Sequence, residues 1–438
     1  MPRLPSSPPT VMTGEPSKPG LVRAIGRWSL TALVLNGIIG SGIFGLPGSI
    51  AKLLGPAAPW AYLFAAAGTG VIVAVFAELS SQYRETGGQY LYARDALGRF
   101  AGIQVGWFFW LARLTSGAAV ASLFVIYLGE FWPGATSPLA RAAVIAAIVG
   151  GLAVVNFRGV RAGAGLSNLF TVAKLVPLGL FIIAGLWLVE SRTPPPLATA
   201  ATAGQWFDAF VALVFAYGGC ESAMIPAAEA KNPRRDAPFA LVAGLSVVTG
   251  CYLLVHLVTM WALPDLAQSE RPLADAARVF AGPAGAAVIA LGVLLSTYGW
   301  LSGASVTAPR LTYAMAERGD FPRAFGAVHP RFHTPHVSIV LWAVLVLVLA
   351  LYGSFIWNAI LSVAARLVTY AASCVALIQL RRRNPEADAW RAPAGNFLAV
   401  LGIVLCALLA SRLTITHATI MAVVAAIATA NWLAVRGR

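Results

Sequence analysis

The chain of 438 residues carries 31 Lys and Arg against 17 Asp and Glu, a formal net charge of +14, yet only 11% of its residues are charged and 58% are hydrophobic. A soluble domain has about 25% charged residues, so this composition, with a mean hydropathy of +0.76, excludes an ordinary soluble protein and indicates an integral membrane protein. Apolar runs of about 20 residues, each long enough for a hydrocarbon core of roughly 30 Å, recur about 12 times and leave no room for a large soluble domain.

The chain opens, over residues 1–24, with a Pro- and Ser-rich stretch that lacks the apolar core of a signal peptide. It is read as a disordered cytoplasmic tail, with insertion directed by the first hydrophobic helix. That helix, at 28–52, is interrupted in its middle by Gly40-Ser41-Gly42. Hydrocarbon offers backbone amides no partner, so a glycine-rich interruption at this depth points to a broken helix that cradles a small molecule. Spans follow at 58–80, 99–130, 138–156 and 165–190. Glu78, Arg113 and Lys174 lie within them. A charge at such depth costs about 2.5–3.5 kcal/mol on the insertion scale and usually marks function. For Lys174 the alternative is snorkelling to the inner surface, and for Glu78 a pairing with an intramembrane arginine.

The sixth span, 206–228, carries a second interruption, Gly218-Gly219, with Glu221 immediately after it. Glu221 either takes up a proton during a cycle or holds the unwound segment by hydrogen bonds, the structural role being favoured. Spans at 237–262, 276–314, 336–353, 355–380, 395–411 and 415–434 complete the series. The eighth is longer than a bilayer needs, so its amphipathic end, Arg310 to Arg318, is expected to emerge into the cytoplasm. Arg366 in the tenth, like Arg113, either pairs with a carboxylate, recognises an acidic substrate side chain or closes a gate.

Basicity in a soluble protein would suggest nucleic acid, but here it sorts by loop. With the N-terminus inside, about 21 Lys and Arg fall on the inner face, about 6 outside and about 4 within spans, which sets orientation in a cell membrane with both termini cytoplasmic. Cys220, Cys251, Cys374 and Cys406 all lie in spans, at spacings that fit neither zinc ligands nor a disulfide framework, and read as buried thiols. His329, His333 and His336 sit in or beside one loop without metal-ligand geometry, while His256 and His417 are expected to be satisfied within the bundle or near an interface. No metal or cofactor is expected.

A helix broken at Gly40 to Gly42 exposes N–H groups at the start of its second half, where the helix dipole favours a carboxylate. Carbonyls freed at Ile38, and at Phe215 to Gly218, could accept hydrogen bonds from an ammonium, so the paired breaks suit a zwitterion such as an amino acid. The alternative is that Gly40, Gly42, Gly218 and Gly219 only let helices pack closely.

Ile39-Gly40-Ser41-Gly42-Ile43-Phe44 resembles the signature of the amino acid–polyamine–organocation superfamily of transporters. Glu85-Thr86-Gly87-Gly88-Gln89-Tyr90-Leu91-Tyr92 resembles that family's loop after helix two, and Glu229-Ala230-Lys231-Asn232-Pro233-Arg234-Arg235-Asp236-Ala237-Pro238 its stretch after helix six. With Ser296-Thr297-Tyr298-Gly299-Trp300, the resemblance covers roughly residues 25 to 380. It implies a LeuT-type fold: a first inverted five-helix repeat over 25–190, a second over 191–380, and two additional helices over 381–438. It further implies that amides around Ser41, Gly42 and Ile43 bind the substrate carboxylate and that carbonyls of Ile38, Phe215 and Gly218 take the amino group. Phe215, Tyr217 and Trp300 match gating or cavity-lining aromatics, whose other reading is bundle packing. Lys174 matches the lysine of proton-driven relatives that stands where sodium-driven ones hold a cation.

The function expected is a secondary active amino acid transporter, coupled to protons and independent of sodium, without an obligate protein partner. An amino acid/polyamine exchanger, a nutrient sensor of the same fold and a channel are the alternatives. No phosphate loop, zinc-protease motif or serine elbow supports a membrane enzyme.

Overall fold

The computed structural model describes residues 26–83, 88–159, 164–189, 200–219, 221, 232–385 and 389–437, without the side chains of 160–173, 233 and 234. The expected tail over 1–24 lies outside the described residues, as do Arg84, Glu85-Thr86-Gly87, Cys220, Ser222 and Glu229-Ala230-Lys231.

The described chain runs through fifteen α-helices and no strand. The first span is α1 (Arg27–Ile38) followed by α2 (Ser41–Gly45) and α3 (Pro47–Leu54), and α4 (Ala58–Gln82) returns across the membrane. A helix at the membrane end, α5 (Gly88–Leu97), precedes α6 (Arg99–Leu128), α7 (Pro138–Phe157), α8 (Ala164–Leu188) and α9 (Ala203–Tyr217). The remainder comprises α10 (Pro233–Ala262), α11 (Pro272–Glu317), α12 (His336–Tyr352), α13 (Phe355–Arg383), α14 (Gly395–Ala410) and α15 (Ile415–Val435). Among the described residues, eight segments are long and apolar enough to span a bilayer, and four shorter apolar helices, in α8, α9, α12 and α14, bring the total to the twelve spans expected.

Local sequence explains several helix starts. Thr202 and Gln205 form a reciprocal capping box before α9, with the Thr202 amide donating to Gln205 Oε1 at 2.8 Å. Ser354 caps α13 through the Trp357 amide at 3.2 Å. Two features depart from the sequence reading. The loop after helix two contains α5, because Tyr90 and Arg94 anchor it to Asp320. The eighth helix bends at Gly282 (φ 68°) just before Pro283, so its first turns form a separate segment outside the long span. At its other end the helix continues to Glu317, through the amphipathic stretch.

Burial separates central from peripheral helices. The apolar windows of α6 and α13 are 78% and 72% buried, those of α7 and α15 only 17%. Leu139, Trp187 and Ile415 are more than four-fifths exposed, as lipid-facing side chains should be. The two thiols Cys374 and Cys406 are buried and Cys251 is half-buried, all three unpaired in disulfides.

Charges close the ends of the bundle. At one end Asp320, fully buried, accepts from Tyr90 at 2.5 Å, Arg94 at 2.7 Å and Arg99 at 2.6 Å, while its carbonyl takes the Asn431 amide group at 2.9 Å. At the same end Glu78 pairs with both arms of Arg381 at 2.7 and 2.6 Å and accepts the Ala392 amide at 2.8 Å. Its partner is thus the basic end of α13 and not an arginine at membrane depth. At the other end Glu130 pairs with Arg271 at 3.2 Å and with Arg278. Arg141 donates to the carbonyls of Ala350 and Gly353 at 2.6 and 3.0 Å.

Candidate functional site

The first break is abrupt. The Ile39 amide makes the last bond of α1, to the Leu35 carbonyl at 2.9 Å, and Gly40 is non-helical (φ −127°, ψ −148°) before the helix restarts at Ser41. Amides of Ser41, Gly42 and Ile43 precede the first bond of the new helix, and the last carbonyls of α1 lose their helical partners.

Two side chains answer those carbonyls. Lys174, 6% exposed on α8, donates from Nζ to the carbonyls of Asn36 at 2.6 Å and Ile39 at 2.8 Å. The Tyr252 hydroxyl on α10 lies 3.0 Å from the Ile38 carbonyl and 3.1 Å from that of Ala216 on α9, so one proton serves both broken helices.

The second break mirrors the first. Gly218 is extended (φ −68°, ψ 151°), and Gly219, at φ 115°, adopts a backbone conformation that side chains disfavour. A Cβ on Gly219 would also collide with the Gly37 carbonyl, and one on Gly42 would stand 2.5 Å from Ala216 Cα. The breaks are therefore pressed backbone against backbone. Gly42 and Gly219 thus bring the two broken segments together, and close packing does not argue against a site between them.

Beyond the breaks lies a buried ionic cluster. Arg366 on α13 pairs with Glu221, and also donates to Ser362 at 3.3 Å and Ser116 at 3.4 Å. Glu221 further accepts from the Gly219 amide at 2.9 Å and the Tyr370 hydroxyl at 3.2 Å. Arg113 interacts electrostatically with both Glu221 and Arg366, and its guanidinium lies 5.3 Å from the centre of the Phe109 ring.

Between these groups is a cavity of about 20 Å³, room for about one water. Ile38, Gly40, Ser41 and Gly42 form one wall; Phe215, Gly218, Trp300 and Arg366 face them. Trp300 approaches Gly40, its ring 3.8 Å from where a Cβ would stand. Other candidates lie outside the lining. Ile43 is fully buried in the core, Tyr217 donates to the Tyr62 carbonyl at 3.0 Å, and Lys174, Glu221 and Arg113 sit behind the walls. Gly37, Ser116 and Val120 line the cavity without having been singled out, and Tyr252 was also missed. Gly37, Ser116 and Tyr252 signal themselves only by small or polar character inside an apolar helix, and Val120 not at all.

The histidines divide. His329 Nδ1 accepts the amides of Arg331 and Phe332 at 3.2 and 3.3 Å, a loop role, and His417 shares a hydrogen bond with Thr414 at 2.7 Å. His256 departs from expectation: its ring centre lies 5.0 Å from that of Tyr62, and neither nitrogen has a hydrogen-bond partner among the described residues.

Tyr252→Phe should leave two buried carbonyls without their shared donor, a penalty of about 1–3 kcal/mol. The expected outcome is a lower Tm in detergent and roughly tenfold slower amino acid uptake in proteoliposomes. Wild-type values of both would remove Tyr252 from the site.

The sequence matches the family model described as amino acid permease over residues 25–432. It is 29% identical to the serine/threonine exchanger SteT of Bacillus subtilis (strain 168), over 88% of this chain and 89% of that one. It is also 29% identical to a putative arginine/ornithine antiporter of the same strain, over 72% and 74% of the two chains. An uncharacterized transporter of Mycobacterium tuberculosis is 30% identical over 85% of this chain and 83% of its own.

Proposed function

This chain belongs to the amino acid permease family of multi-pass membrane transporters, and we propose that it carries amino acids by alternating access, coupled to protons and independent of sodium. The observation that carries the coupling is the ammonium of Lys174, held by the carbonyls of Asn36 and Ile39 at the end of the broken α1. A built-in cation at that seat does what a bound metal cation would do, and its proton can be gained and lost within a cycle. Amides of Ser41, Gly42 and Ile43 take the substrate carboxylate; carbonyls of Ile38, Phe215 and Gly218 take its ammonium. Phe215 and Trp300 cover the substrate, Tyr217 backs the second break, and Glu221 with Arg366 braces it.

The breaks at corresponding positions support two inverted repeats, 25–190 and 191–380, followed by two helices over 381–438. The basic residues support a cell-membrane orientation with both termini cytoplasmic. Exchange is the second reading, favoured by relatives named as a serine/threonine exchanger and a putative arginine/ornithine antiporter.

The test is uptake of labelled amino acids by purified protein in sodium-free proteoliposomes. An inward proton gradient should drive accumulation that a protonophore collapses; strict sodium dependence would refute the coupling. Uptake that needs internal amino acid and ignores the gradient would establish exchange instead. In a thermal-shift screen, stabilisation by polyamines alone would count against carboxylate binding.

A further inference from the structure

We propose that the groove between α4 and α10 binds a membrane phospholipid with an anionic headgroup, one acyl chain lying in the groove and the phosphate resting on arginines at its cytoplasmic end. The inference goes beyond the transporter reading, and its test does not depend on uptake.

The groove has a volume of about 540 Å³ and runs along α4 from Leu63 to Ala77 and along α10 from Pro238 to Thr249. At 1.5 Å per residue the α4 wall is about 21 Å long, more than half of a hydrocarbon core of roughly 30 Å. Trp390 lines the end near Ala77, where the Ser81 hydroxyl donates to its carbonyl at 3.3 Å. This is the end that carries Glu78 and Arg381. The groove opens sideways between two exposed rims, Leu63 at 38% and Val242 at 64%. Its polar lining is slight: the Thr249 hydroxyl is turned onto the Leu245 carbonyl at 2.7 Å. Lipid gives one helix no hydrophobic reason to seek another, so an apolar groove of this length at membrane depth is filled by an acyl chain.

Charge at the cytoplasmic end selects the headgroup. Arg235 stands two turns before Val242 on the same face of α10, and its exposed side chain makes no ion pair among the described residues. Arg391, also exposed, directly follows Trp390. Arg27 of α1 lies 5.4 Å from the ring centre of Phe239, which brings a third cation to the start of α10. The acid of that turn, Asp236, is buried and turned back onto the Asn232 amide at 2.9 Å, away from a headgroup. Arginines at this level, with a tryptophan between them and the hydrocarbon, match the anionic phosphates of a cytoplasmic leaflet.

The experiment adds phosphatidylglycerol or phosphatidylcholine to the full chain in detergent and reads Tm. Phosphatidylglycerol should raise Tm by about 5 °C or more, and phosphatidylcholine by less than half as much. Ala67→Trp places a large ring in the groove from an exposed position on α4 and should remove most of the gain from either lipid. Arg235→Gln combined with Arg391→Gln should lower the phosphatidylglycerol gain to that of phosphatidylcholine. Equal gains from the two lipids in the wild type overturn the headgroup assignment, and an undiminished gain in Ala67→Trp overturns the groove. Inorganic phosphate that reproduces the gain would make the site one for a free anion. A wild-type dimer that Ala67→Trp turns into a monomer would assign the groove to a second copy of the chain and overturn the lipid site.

Discussion

Lys174→Ala is expected to abolish gradient-driven uptake, a loss of about a hundredfold or more, while the protein still folds. The ammonium satisfies the carbonyls of Asn36 and Ile39 at 2.6 and 2.8 Å, and each buried carbonyl left unsatisfied costs about 1–3 kcal/mol. The carbonyls concerned belong to the first break, the proposed substrate seat, so the penalty falls on the geometry of that seat as well as on stability. Lys174→Arg should rescue little, because a planar guanidinium cannot sit on two converging carbonyls as a compact ammonium does. Initial rates in sodium-free proteoliposomes, with and without an inward proton gradient, would be compared with Tm in detergent. Gradient-driven accumulation that survives in Lys174→Ala would end the coupling role. Loss of accumulation in a variant that still unfolds cooperatively, with Tm lowered by several degrees, is the outcome the seat requires.

The twelve spans were legible because hydrocarbon imposes one requirement on every lipid-facing helix, a continuous apolar length, and the chain meets it segment by segment. The breaks were legible for the converse reason: Gly40 and Gly218-Gly219 interrupt helices where hydrocarbon tolerates no interruption. Partners across the bundle were not. Tyr252 is one tyrosine in an apolar helix, and only packing of α10 against α1 and α9 carries its hydroxyl to Ile38 and Ala216. Ser116 reads as one small residue among several in α6, and becomes part of the site because α13 sets Ser362 and Arg366 against it. Asp320 was invisible for the same reason, since its partners Tyr90, Arg94 and Arg99 are more than 200 residues away. Sequence periodicity reports how a helix meets its surroundings, whereas pairings between distant helices depend on their rotation about one another. Glu78 shows the limit in a single residue: its burial was readable, but its partner, Arg381, was not.

Gly42→Ala and Gly40→Ala should part company although the two glycines are two residues apart. A methyl on Gly42 would stand 2.5 Å from Ala216 Cα and 2.8 Å from its Cβ, and no rotamer change relieves a clash with backbone. Overpacking of this kind costs about 1–3 kcal/mol where neighbours can yield, and more where they cannot. The two broken helices must separate, which lowers Tm by several degrees and abolishes uptake, since the amides of one break and the carbonyls of the other no longer meet across the cavity. A methyl on Gly40 meets nothing closer than 3.8 Å, the ordinary contact distance to Trp300 and the Ile38 carbonyl. Gly40→Ala should therefore keep the wild-type Tm. The added methyl nevertheless projects toward a cavity of about 20 Å³, so apparent substrate affinity should fall by about tenfold. Tm and concentration-dependent uptake measured on both variants separate the roles. Equal loss of Tm would mean that both glycines serve helix packing alone, whereas an unchanged affinity in Gly40→Ala would move the substrate away from the first break.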